Sequence, residues 1–130
     1  MGRLFAVLEN AQHAALGQLN ASVRDRYYGA ASAAPASVFP RLLRTTTHHL
    51  AVLHRDRRTR GLAVWFEREI DEITRGLDMS LPRQLQLLSQ GRFAIGYYHQ
   101  RHTRKPAPEA ADPASQPGPD SAEVAPEFEE

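Results

Sequence analysis

From Leu4 onward, apolar residues fall at positions 4, 8, 11, 15, 19 and 23, in steps of three and four that hold them to one face of a helix. Arg3, Asn10, His13, Gly17, Asn20 and Arg24 fall on another face. The pattern predicts an amphipathic helix of about 25 residues, ~37 Å long at 1.5 Å per residue. It should stop at Gly29, a residue suited to the left-handed position after a helix end. Ala30 to Ala36, small residues plus Pro35, then reads as a closely packing connector. Ser37 is the N-cap candidate of a second helix, with Pro40 in the first turn, where its missing N–H costs little. Phe39, Leu42, Leu43, Leu50 and Leu53 would face inward from that helix, although Thr45, Thr46 and Thr47 lower local helix propensity.

Residues 55–61, RDRRTRG, read as a connection bounded by Gly61, with Thr59 placed to cap the next helix. In that third helix Leu62, Phe66, Ile70, Ile73 and Leu77, with Trp65 beside them, face one way. Glu67, Arg68, Asp71, Glu72 and Arg75 face the other, offering Asp71–Arg75 and Arg68–Glu72 pairs. A fourth helical stretch begins between Arg83 and Ser89 and runs to about His102, with Leu88, Phe93 and Tyr97 as core candidates. Gly91 and Gly96 inside it each cost about 1 kcal/mol relative to Ala, which points to close backbone approach by a neighbour. After Lys105 the only large apolar residues are Val124 and Phe128, among six of the nine prolines. Such a segment buries too little surface to offset its ordering entropy and is expected to be disordered. The chain as a whole predicts an all-α fold, a bundle of four or five helices over residues 1–105 followed by a Pro/acid-rich tail over 106–130.

The formal net charge of +1 changes meaning once it is divided along the chain. All 16 basic residues lie at or before Lys105 and meet eight acids there, for a net +8; residues 106–130 hold the other seven acids and no base. A basic body thus precedes an acidic tail that can compete, as a DNA mimic, for the body's own basic face. The chain has no cysteine, which excludes disulfides, thiolate metal sites and Cys nucleophiles. No segment approaches the roughly 18–20 uninterrupted apolar residues of a membrane helix, and the polar residues Glu9, Asn10, Gln12 and His13 interrupt the N-terminal apolar run too early for a secretion signal. A soluble, cytoplasmic protein without membrane partners is the expectation.

Candidate chemistry is sparse. His13, His48, His49, His54, His99 and His102 invite a metal reading, but His48 and His54 are six apart, off any shared helical face, and no Cys or placed carboxylate completes a set. Glu67, Glu69, Asp71 and Glu72 could hold divalent ions for phosphodiester chemistry, yet Arg68 and Arg75 interleave with them and favour a salt-bridged solvent face. There is no G-x-S-x-G elbow and no phosphate-binding Gly loop. No enzyme activity, cofactor or metal is expected. The bases say more, because 15 of the 16 are Arg, whose planar fork grips phosphate in two places. A GC-rich genome also yields Arg-rich chains, so clustering carries more weight than usage. Arg24 and Arg26 sit near the end of the first predicted helix, and Arg41 and Arg44 near the start of the second. Arg55, Arg57, Arg58 and Arg60 share one connector, while Arg92, Arg101, Arg104 and Lys105 run along the last helix. These twelve are the candidate nucleic-acid contacts. Tyr27, Tyr28, Tyr97 and Tyr98 could stack on bases, although tyrosines beside helix ends more often line the rim of a core.

Three runs carry a family resemblance: RDRYYGAASAAPASVFPRLLR (24–44), GLAVWFEREI (61–70) and QGRFAIGYYHQR (90–101). Together they resemble the C-terminal region of the large subunit of type I-C CRISPR Cascade complexes, over roughly residues 4–102. A stand-alone chain of this segment resembles the type I-C small subunit, which in that family arises by internal translation initiation within the large-subunit gene. The resemblance implies an all-α bundle assembling in more than one copy along the crRNA-bound backbone subunits, beside the large subunit. It implies stabilisation of the crRNA–DNA R-loop through DNA-strand contacts, with strand cleavage left to a separate helicase-nuclease. The competing expectation is a structural adaptor that acts through protein–protein contacts and touches no nucleic acid. Two departures stand out: a Ser-x-x-Asp-like helix start just before QGRF is replaced here by Gln86-Leu87-Leu88-Ser89, and the acidic tail has no counterpart.

Overall fold

The computed structural model describes residues 1–77, 81–103 and 105–107. Among them lie five helices and no strand: α1 (Gly2–Leu16), α2 (Val23–Ala33), α3 (Pro35–Arg55), α4 (Arg60–Arg75) and α5 (Leu87–Arg101). The all-α expectation holds, with the core drawn from every helix. The expected disorder of the acidic tail concerns residues that, from 108 on, lie outside the described ones.

α1 lies at the centre. Leu4, Phe5, Ala6, Val7 and Leu8 are buried in succession, so the helix is apolar all round over its first half and packs against each of the other four. Phe5 anchors an aromatic cluster, its ring 5.7–6.4 Å from those of Tyr28, Phe39, Phe93 and Tyr97, edge to face with the first two and tilted against the others. α1 and α5 approach so closely that a Cβ on Gly2 would sit 1.8 Å from the Phe93 carbonyl oxygen. Gly96 answers from α5, where a Cβ would lie 3.3 Å from the Arg3 nitrogen. Gly91, expected to serve the same purpose, has nothing within 4 Å of its Cβ position and faces open space.

The long first helix expected to reach Gly29 is two helices. Gly17 takes a positive φ of 70° and its N–H bonds the His13 carbonyl, ending α1. Ser22 then starts α2 with a capping box: its Oγ accepts from the Asp25 N–H, and Asp25 accepts from the Ser22 N–H. The Gln12 side chain accepts from the Val23 N–H and ties the new helix back to the old one. The Ala30–Ala36 connector is in fact mostly helix, with Ala31 fully buried and Ala34 alone separating α2 from α3.

α3 therefore starts at Pro35, not after Ser37, and Pro40 lies beyond the first turn. Ser37 does not cap; its hydroxyl donates to the Ala34 carbonyl at 2.7 Å. The segment before α5 braces this junction, with Leu85 N–H donating to Ala33 and Ala36 N–H to Pro82. The threonine run does not break α3, because Thr45, Thr46 and Thr47 each donate a hydroxyl to the carbonyl four residues back. Thr59 precedes α4 without capping it; its hydroxyl donates to the Leu53 carbonyl and closes the α3–α4 corner. Leu88, expected in the core, is 70% exposed, whereas Phe93 and Tyr97 are buried as expected.

Candidate nucleic-acid interface

α3 carries no acidic residue. Its positions 41, 44, 48 and 55 fall within about 60° of one another at 100° per residue. Arg41, Arg44, His48 and Arg55 are all exposed there, so one outward face of the helix bears a row of guanidinium and imidazole groups ~21 Å long. The row runs into the α3–α4 corner, where Arg57, Arg58 and Arg60 are also exposed. Asp56 in that corner is occupied locally, accepting from the Arg58 N–H at 2.9 Å. Arg26 and Arg41, from α2 and α3, line a cleft of about 210 Å³ with Tyr27, over whose ring the Arg41 guanidinium lies at 5.8 Å.

The other nominated residues go elsewhere. Arg24, half-buried, points to the opposite side of α2 from Arg26; its guanidinium is 5.6–5.9 Å from the rings of Tyr28, Tyr97 and Tyr98 and donates to the Tyr98 hydroxyl at 2.9 Å. Arg101 lies 6.0 Å from the Tyr97 ring. Arg92 is exposed on α5 and shares with Arg3 the rim of a cleft of about 330 Å³ floored by Leu85 and Phe93. Lys105 is half-buried with its ammonium 5.9 Å from the Phe66 ring, and burial holds its pKa below the usual lysine value, with Glu9 acting the other way. Arg104 lies outside the described residues.

Few of these charges are neutralised. Among the described residues the ion pairs are His13–Glu9, His54–Glu67 and Arg75–Asp71, none of which involves a nominated base. The expected Asp71–Arg75 pair closes; the Arg68–Glu72 pair does not. Two more acids on α4 are engaged by neighbouring helices, Glu67 by His54 at 2.7 Å and Glu69 by the Gln100 amide at 2.9 Å. Among the described residues no three His, Asp or Glu side chains come together as a metal would require. Of the four tyrosines, Tyr97 is fully buried and its hydroxyl donates to the buried Glu9 carboxylate, while Tyr27 and Tyr28 are half-buried. Burial and the Glu9 charge push the Tyr97 phenol far above its ordinary pKa. Only Tyr98 presents much of its ring outward.

Sequence reasoning passed over Arg3 and Gln100. Arg3 Nε donates to the Gln100 side-chain oxygen at 3.0 Å, and the Gln100 amide reaches Glu69, so a polar relay joins α1, α5 and α4. Its residues are 97 and 31 positions apart, and no local pattern announces them. No helix among the described residues is long and apolar enough to cross a membrane.

No curated protein matches the chain significantly. A family model described as CRISPR-associated protein (Cas_Csd1) matches residues 1–105, the stretch that holds all five helices and every nominated base. On that match the chain belongs to the Cas_Csd1 family of CRISPR-associated proteins.

Proposed function

We propose that this CRISPR-associated protein is a non-catalytic small subunit of a type I-C Cascade surveillance complex, packing along the crRNA-bound backbone and holding DNA strands of the R-loop by phosphate contacts. The observation that carries this reading is the acid-free row Arg41, Arg44, His48 and Arg55 on α3, continued by Arg57, Arg58 and Arg60. A straight row of unpaired guanidinium groups suits a repeating phosphate backbone and reads no bases, so binding is sequence-independent. It needs no metal and no nucleophile, and contributes no bond-breaking step.

Counterion release supplies the binding energy of such a face, so affinity for single-stranded DNA should fall steeply and log-linearly between about 50 and 500 mM salt. Equal binding across that range would sink the electrostatic account. In the assembled complex, replacing Arg55, Arg57, Arg58 and Arg60 with Glu should leave assembly intact and impair R-loop formation. Failure of that variant to co-purify with the complex would instead favour the adaptor reading, in which the charge meets acidic neighbouring subunits.

A further inference from the structure

α5 shows the solvent a face that belongs to neither the core nor the α3 row. Leu87 is 83% exposed, Leu88 70%, Ile95 72% and Tyr98 45%. At 100° per residue these positions and Gly91 fall on one side of the helix, away from the buried Phe93, Tyr97 and Gln100. Three large aliphatic side chains in water within one 15-residue helix form an apolar stripe of the kind that marks a docking surface. Guanidinium groups flank it on both sides. Arg92 stands on the edge toward the Arg3 cleft, and Arg24, bonded to the Tyr98 hydroxyl, stands on the other. α5 contains no acid and adds His99 and Arg101.

That charge pattern selects the occupant. A second copy docked face to face would bring like charges together across the seam. The complementary sequence lies in this chain. Residues 121–130, SAEVAPEFEE, hold the tail's only large apolar side chains, Val124 and Phe128, among Glu123, Glu127, Glu129 and Glu130. With Pro126 between them, an extended backbone sets 124, 126 and 128 on one face, ~13 Å from end to end. Leu88 and Ile95 are ~10 Å apart along α5. The connection suffices as well: 16 residues separate Ala107 from Val124, able to span ~50 Å, against the ~20 Å back along α5 from Arg101 to Leu88.

We propose that residues 121–130 dock on the exposed face of α5, with Val124 and Phe128 against Leu87, Leu88 and Ile95 and the flanking glutamates toward Arg24 and Arg92. The docked segment covers the apolar stripe and leaves the α3 row open.

The absence of cysteine allows a single nitroxide to be placed in the full-length chain at Ser121→Cys, with methyl signals read by NMR without nucleic acid. The Leu87, Leu88 and Ile95 methyls should lose intensity while Val52, exposed on α3, keeps its own. The loss should persist when labelled chains are diluted into an excess of unlabelled ones, weaken at about 0.5 M salt, and vanish in the Val124→Ser, Phe128→Ser variant. Three results would each overturn the proposal: broadening no stronger at α5 than at Val52, broadening unchanged by the two serines, or broadening that disappears on dilution, which would give the face to a neighbouring copy. None of these depends on DNA binding, so the proposed function stands or falls separately.

Discussion

His49 shows what a single buried polar atom does to this bundle. It faces inward from α3, and its Nδ1 has no hydrogen-bond partner among the described residues. Burial, with the neighbouring His48 adding to it, lowers its pKa below the ordinary value of 6.5. In the unfolded chain the imidazole takes up a proton as pH falls through 6.5, while in the folded protein it does so only at lower pH. The unfolded state then binds more protons, so stability declines as pH drops from that point toward the folded pKa, at up to about 1.4 kcal/mol per pH unit. His49→Leu removes both the unpartnered nitrogen and this titration. Its unfolding free energy should fall less than the parent's between about pH 7 and 5.5, with the other histidines cancelling in the comparison. Parallel pH profiles for the two proteins would show that His49 is solvated in the fold. Among the six histidines the phase of α3 singles this one out: His49 lies seven residues after Leu42 and four before Leu53, on the face those buried leucines define.

At the scale of elements, glycines locate the tight crossing. Gly2→Ala places a methyl against the Phe93 carbonyl and the Tyr97 nitrogen, both backbone atoms of α5 that cannot swing aside. It should destabilise the bundle by about 1–3 kcal/mol, as overpacking does. Gly91→Ala meets nothing and should stabilise by about 0.5–1 kcal/mol through helix propensity. Chemical denaturation of the two variants, with unchanged m-values, checks the opposite signs; equal effects would mean that α1 and α5 do not meet there. The same elements show how much was legible. α4 was legible in its position and faces because one face is apolar and the other charged, although it stops at Arg75, before Leu77. The break between α1 and α2 was hidden because Leu19 and Val23 continue the apolar phase of Leu4 and Leu8 straight through the turn. Gly17 and the Ser22–Asp25 box were the opposing signals, and local capping prevailed over the extended stripe. α3 begins early for a related reason: Pro35, placed by its small neighbours in a connector, is a favourable first residue of a helix.

For the whole molecule, the question is which of the dispersed bases act together. The sequence made twelve of them equivalent; the fold does not. Arg24 and Arg26 stand two residues apart, about 200° around α2, and cannot lie along one phosphate backbone. Arg24 and Arg101 are engaged with tyrosine rings on the side where α5 packs, and each such cation–π pair is worth roughly 0.5–1 kcal/mol to the fold. Arg41, Arg44 and Arg55 are collinear and exposed, and the corner arginines extend their line. The two groups should therefore fail differently when neutralised. Changing Arg41, Arg44 and Arg55 to Gln should cost the fold no more than the single Arg41–Tyr27 contact and reduce the slope of log affinity against log salt by about 0.7 for each phosphate that goes unneutralised on single-stranded DNA. Changing Arg24 and Arg101 to Gln should lower stability and leave that slope in place. If the second pair reduced the slope as much as the first three at unchanged stability, the phosphate path would run across the α2–α5 side instead, and the acid-free face of α3 would be left to bind protein.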